Sequence, residues 1–307
     1  MSRKGKAFGL AGDILAILEE VPFGNHYIEA GLTMRNAMFI GGILTNCSVW
    51  HGLKEKEIVE LEKVDEYLIR KIFQGHSKTA IEMFFLDTAL LPIRYIIRQK
   101  RISYLHHILT RNENELISKV YFAQKRKPGK DDWVTTVHKD MEEIQFHHSD
   151  DDLKSMSKSY FKKILREKIH NAAFEYLQHL KSNHSKVKMI HYDKLAMQPY
   201  LSSNQLTTEE KQLLLRLRSS MINVKASFKS QHQDLTCNLC RDPNTVQTAS
   251  HLLDCKIVLS HSPALFNNDS VQYEHIYGTV DQQIEVTRLY SEILQIKSKI
   301  EEQDDDP

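Results

Sequence analysis

The chain has little of what most readable functions need. Cysteine occurs four times in 307 residues, and no apolar run approaches the roughly 20 residues of a membrane span. The opening stretch MSRKGKAFGLAGDILAILEE carries acids where a signal peptide would need an apolar run and a cleavage site. The chain is therefore expected to be intracellular. In a reducing compartment its cysteines are expected as thiols or metal ligands rather than bridges. Glycine and proline number only 11 and 7, so the chain has few points at which it must break or turn. It shows no Gly-rich phosphate loop, no nucleophile elbow and no paired-Asp motif between strands. No catalytic centre can be read from it, and it is not expected to be an enzyme.

What is present suffices for a self-supporting fold. A hydrophobic share of 41% is enough to bury a core, and the length has room for two ordinary domains. The net charge of +1 is an average over blocks of opposite sign. Residues 90–130 hold ten Lys/Arg against two acids, and 154–194 hold ten against three. Between them, 131–152 hold eight acids against one Lys. Such basic blocks suit an anionic partner, and they equally suit the wet faces of ordinary helices.

Apolar residues recur at three- and four-residue steps, which predicts a mainly helical protein. Helices are expected near 10–20, 26–46, 54–74, 79–89, 92–111, 113–125, 157–181, 208–229 and 281–302. Thr79 with Glu82 and Thr207 with Glu210 have capping-box spacing, and Pro92 suits a first helical position. The stretch QKRKPGKDDW, 124–133, reads as a loop. Asp150, Asp151 and Asp152 after Ser149 read as a helix start or a solvated loop.

Three helices pair an apolar stripe with a basic row. In 208–229, Leu214, Leu217, Met221, Val224 and Phe228 run beside Lys211, Arg218, Lys225 and Lys229. In 92–111, Arg94, Arg98 and Arg101 share a side. Lys158, Lys162 and Arg166 repeat the layout. Packed together, the rows could line a groove suited to a phosphate backbone. Tyr95, Tyr104 and Tyr121 could stack on bases, although tyrosine in a helical stripe is more often core.

The densest chemistry lies in CNLCRDPNTVQTASHLLDC, residues 237–255. Cys237 and Cys240 are separated by two residues, so one tight turn can point both thiolates at a single ion. His251 and Cys255 are separated by three, so one helical turn can present imidazole and thiolate together. Three thiolates and an imidazole with no vacant position describe structural zinc. A bare Cys pair is the alternative, and a thioredoxin-type redox pair is disfavoured because a helix, not a strand, precedes it. Cys47 stands alone in an apolar stretch and reads as core.

The stretches GLTMRNAMFIGGILTNCSVWHGL, IVELEKVDEYLIRKIFQGHSKTAIEMFFLDTALLPIRYIIRQKRISYLHHILTR and VYFAQKRKPGKDDWVTTVHKDMEEI resemble the region downstream of the polymerase core in non-LTR (LINE-like) retrotransposon reverse transcriptases. RSSMINVKASFKSQHQDLTCNLC with HLLDC resembles the zinc knuckle that ends that region. The likeness is collinear over roughly residues 10–260. It implies a thumb-like helical domain at 1–130, a linker-like helical domain at 131–230, a knuckle at 231–260 and a C-terminal helix with acidic tail at 261–307. It also implies that Cys237, Cys240, His251 and Cys255 are the knuckle's ligands and that the basic helices grip RNA or DNA backbone. The family's polymerase carboxylates have no counterpart here, and Asp269, Glu274 and Asp281 make no convincing nuclease signature.

The expected protein is thus a detached, non-catalytic, nucleic-acid-binding fragment: a helical bundle followed by a zinc knuckle and a final helix, with RNA or DNA as partner and neither membrane nor small-molecule substrate. The alternative is a protein-interaction module using the knuckle and the final helix, in which Val286, Leu289, Ile293, Ile296 and Ile300 fall at helical steps. KRKPGK is a thin nuclear signal, which leaves nucleus or cytoplasm open.

Overall fold

A computed structural model describes residues 3–21, 24, 26–185, 187, 190–261 and 271–304. Among these residues the molecule is mainly helical, and Thr236 and Val246 form an isolated antiparallel bridge. No helix is long and apolar enough to cross a membrane among the described residues.

The first helix, α1 (Arg3–Glu20), buries Ala7, Ala11, Ile14 and Leu18 at steps of four, three and four, the stripe a core-facing helix requires. It packs on α3 (Glu55–Ile72), which buries Leu61, Val64, Leu68 and Ile72. Between them α2 (Tyr27–Met34) runs through a π-helical stretch, Arg35–Ile40, into Gly41–Ile43. The wider turn sits where Arg35 points into the core. Its Nε donates to Asp65 Oδ1 at 2.7 Å, its Nη2 pairs with Oδ2 of the same carboxylate, and Nη2 also reaches the Leu91 carbonyl at 3.2 Å. Both partners are buried, so each ion satisfies the other.

Four further helices continue the body: α4 (Ile81–Thr88), α5 (Ile93–Leu109), α6 (Leu116–Arg126) and α7 (Trp133–Glu143). The last occupies a stretch with no predicted helix. Asp132 caps it by accepting from the Thr135 amide at 2.7 Å, and Trp133, Val134, Val137 and Met141 bury its inner face. Ser149 and Asp152 then form a capping box that opens α8 (Asp150–Ser155), which decides the acidic triplet in favour of a helix start. The expected Thr79–Glu82 box does not form. The helix begins after Ala80, the Thr79 hydroxyl is buried without a hydrogen-bond partner, and Glu82 faces His184 at 3.4 Å.

After α9 (Lys158–Ser182) the chain returns along 190–202 to α10 (Thr208–Arg218). Thr207 and Glu210 make the expected box there, with bonds of 3.2 and 2.7 Å. The helix predicted to reach 229 stops at Arg218. Ser220 adopts a left-handed φ of 53° and the Met221 amide turns back to the Arg216 carbonyl at 2.8 Å, a closing turn that relieves the orphan carbonyls. Met221 and Val224 are still buried, but from a separate segment, so the long stripe was two elements in one period.

Four distant parts meet at Asp87, which is fully buried. Tyr192 and Tyr200 donate to it at 2.6 and 2.7 Å, and Arg218 donates twice at 3.1 Å while also reaching the Ile276 carbonyl at 3.0 Å. Burial, reinforced by the Asp87 carboxylate, pushes both phenols well above their ordinary range. They therefore remain donors.

The chain closes with α11 (Ala249–Asp254), α12 (Lys256–His261) and α13 (Val280–Asp304). One continuous apolar core runs from Ala7 to Ile293. Packing does not break at 130 or 230, the ends expected for the thumb-like and linker-like parts. In α13, Val286 and Ile293 are buried and Leu289 and Ile300 pack on that core, so four of the five residues of the expected partner-binding stripe face inward, while Ile296 is half-buried outside the core. Glu274 and Asp281 lie among the described residues and Asp269 does not.

Candidate metal centre and basic groove

The knuckle is built from local hydrogen bonds. The Cys237 amide donates to the Thr245 carbonyl at 3.1 Å, and Gln247 N to Leu235 O at 2.9 Å, which makes a minimal two-stranded hairpin. At its tip the Arg241 amide returns to the Cys237 carbonyl at 2.9 Å, with Arg241 in a left-handed φ of 54°. That turn brings Cys237 and Cys240 to the same side. Thr248 then caps α11 by accepting from the His251 amide at 3.0 Å, and His251 and Cys255 come round one turn apart.

The four ligand atoms, from Cys237, Cys240, His251 and Cys255, all lie within 4.8 Å of one another. Around a tetrahedral ion with bonds of about 2.3 Å to sulfur, neighbouring ligands sit under about 4 Å apart. The Cys240 Sγ to His251 Nε2 distance is 3.6 Å. These residues can hold a metal ion with only small side-chain adjustments. Two neighbours missed in the sequence support them: the Thr245 hydroxyl lies 3.5 Å from Cys240 Sγ, and Gln247 Nε2 lies 3.9 Å from Cys237 Sγ. Such outer contacts orient ligands.

Charge at the cluster is asymmetric. Burial resists ionisation of Cys240, but hydrogen bonds from Thr245, the Asp242 amide, His251 and Cys237 overcome it and bring the thiol down to about 6. Burial dominates at Cys255 and pushes it up to about 11. A bound dication would favour the thiolate at both. All four cysteines are free thiols, and Cys47 is buried in the body, as expected for a core residue.

The knuckle is docked, not dangling. Leu252 and Val258 are fully buried, Tyr290 donates to the Ala249 carbonyl at 2.8 Å, and Asn238 donates to Glu301 at 2.7 Å. Lys225, expected on a basic row, instead secures it: its ammonium donates to the Thr236 carbonyl at 2.8 Å.

Most of the remaining basic rows have internal partners, which corrects the picture of three rows lining one groove. Arg94 pairs with Glu62 at 2.6 Å and Glu55 at 2.9 Å. Arg98 pairs with Glu143 and lies 3.7 Å from Asp140, and buried Arg101 lies 3.0 Å from the same aspartate. Arg218 is committed to Asp87, and Lys211 is buried. Lys229 is exposed but on a separate segment from α10. The three tyrosines are likewise structural: Tyr95 and Tyr121 are buried, and Tyr104 packs edge-on against Trp133.

The third row behaves differently. Lys158, Lys162 and Arg166 are exposed on α9 and make no ion pair with a described residue. Lys162 and Arg166 line an open groove of about 870 Å³ between α9 and residues 194–197. Lys163 and Lys194, not singled out in the sequence, line it too, and Glu167 is the one acid on its walls among the described residues. Burial, aided by Arg166, pushes His170 below its ordinary pKa, so this wall residue stays neutral. Comparison of the chain with protein-family models, with curated proteins and with solved structures finds no match.

Proposed function

We propose that this chain is a non-catalytic nucleic-acid-binding module, derived from the post-polymerase region of a non-LTR reverse transcriptase, in which zinc is the ion at Cys237, Cys240, His251 and Cys255. The observation that carries the binding reading is the groove on α9. Four cations face it without a described carboxylate partner, whereas Arg94, Arg98, Arg101 and Arg218 are each paired with a carboxylate. An unpaired basic row along one helix suits a polyanion, whose affinity comes from displaced counterions. Zinc suits three thiolates and an imidazole in a closed shell, and it would act here as a staple with no open position for substrate. The protein-interaction alternative is the weaker reading because most of the α13 stripe packs on the core.

The test is a salt titration of single-stranded RNA and DNA binding by fluorescence anisotropy. Reversing the groove with K162E/K163E/R166E should lower affinity more than tenfold and flatten the logarithmic salt slope by about two, since each single-strand phosphate contact contributes about 0.7. An unchanged affinity and slope would overturn the reading.

A further inference from the structure

Lys211 is only 4% exposed, yet its ammonium makes no hydrogen bond with a described residue. Burial works against its charge, and the carboxylate of Glu29, which lines the same pocket, acts in the other direction. The side chain is buried along its length while its nitrogen keeps access to the space of a neighbouring pocket, where it offers three donors and accepts nothing.

Lys211 lines a pocket of about 360 Å³ enclosed by α2 on one side and residues 197–204 on the other. Ile28, Leu32, Met197 and Leu201 supply flat apolar surface, and the exposed Thr33 and Asn36 supply polar groups at the rim. This combination of an apolar slot with a few convergent polar groups takes a small planar ligand. Met197 lines both this pocket and the basic groove. A strand lying in the groove therefore passes within one side chain of the slot.

We infer that the pocket receives one unstacked base from the strand held in the groove, and that it selects a keto base, whose exocyclic oxygen accepts from Lys211. This rests on the binding reading above. Single-stranded nucleic acids are commonly read by splaying out bases, sandwiching them on side chains and hydrogen-bonding their edges. Uracil presents an oxygen at the position where cytosine presents an amino group, and an amino group facing an ammonium sets donor against donor. The apolar walls would take the ring faces of either pyrimidine, so discrimination falls on Lys211.

The experiment uses the full chain with fluorescein-labelled oligouridine and oligocytidine RNA of about ten nucleotides, a length within single-strand site sizes. Wild type should prefer oligouridine about fivefold, the effect of one good hydrogen bond. Lys211→Met, which keeps length and burial, should bring oligouridine down to the oligocytidine level and leave oligocytidine unchanged. Thr33→Glu, at the exposed rim, gives Lys211 a carboxylate to satisfy it and should abolish the preference without threatening the fold. Equal wild-type affinity for the two RNAs, or an equal loss for both in the two variants, would overturn the pocket while leaving the groove intact. Loss of all binding in the K162E/K163E/R166E variant with the wild-type preference present supports both; no wild-type binding to either RNA overturns the groove and the pocket together.

Discussion

The knuckle and the helical body solve the same problem by opposite means. In the body, Asp87 gathers Tyr192, Tyr200 and Arg218 from segments more than a hundred residues away in sequence, and Arg35 and Asp65 lock α2 to α3. These contacts are set in an apolar core that runs almost the length of the chain. The knuckle has Leu239 and Leu252 to bury and little else within residues 237–255. Its order comes from a two-rung hairpin and four converging ligand atoms. Removing one interaction should therefore be felt globally in the body and locally in the knuckle.

Metal removal should give the largest effect. Structural zinc supplies about 10–16 kcal/mol in small peptides, far more than two buried leucines. Chelation, or Cys255→Ser, should abolish amide protection across 235–260 while α1 to α5 keep theirs, as read by hydrogen exchange. Uniform loss of protection would merge the two regions into one cooperative unit.

Next comes the hub. Arg218→Leu leaves Asp87 buried with two neutral donors and no cation, a change expected to cost about 3–5 kcal/mol. Denaturant unfolding followed by circular dichroism should show that loss, with metal content per chain unchanged. A cost below about 1 kcal/mol, the median for an exposed pair, would mean the hub contributes no more than a surface contact.

A smaller effect is expected at the start of α10. Thr207→Ala removes a cap that accepts from the Glu210 amide at 3.2 Å and should cost about 1 kcal/mol. Thr79→Ala should cost less, because the Thr79 hydroxyl has no partner to lose.

A further change should depend on pH. Burial pushes Glu66 up to about 7, with Arg70 opposing and Glu62, Glu82 and Asp65 reinforcing. A carboxyl whose folded pKa exceeds its unfolded value binds more protons in the native state, so its stability contribution is present at low pH and is lost as pH rises through the folded value. Glu66→Gln should therefore melt above wild type near about pH 8 and converge with it below about pH 4, the unfolded glutamate value. Parallel melting curves across that window would remove the burial argument.

What could be read from sequence follows the same division. The knuckle ligands were legible because their spacing is local: a turn and a helical turn are both set by nearby residues, and the structure brings all four together. The basic rows were not, because the acids that neutralise them come from elsewhere. Arg94 meets Glu62, Arg101 meets Asp140 and Arg218 meets Asp87, and periodicity on one helix carries no record of a partner on another. The groove's Lys194 has the same difficulty in reverse, since it joins Lys162 from a return segment. Helix α7 was missed because its start lies in the charged stretch KPGKDDW, where Asp132 serves as a cap rather than a loop residue. The overrun past Arg218 arose because the apolar period continues through Ser219 and Ser220 while the backbone does not.

Zinc-edge X-ray absorption on the purified chain decides whether Cys237, Cys240, His251 and Cys255 hold zinc. One zinc per chain is expected, with three sulfur ligands at about 2.3 Å and one nitrogen at about 2.0–2.1 Å. A metal-free chain with the hairpin at 235–247 still protected from exchange, or a shell of oxygen and nitrogen alone, would contradict it.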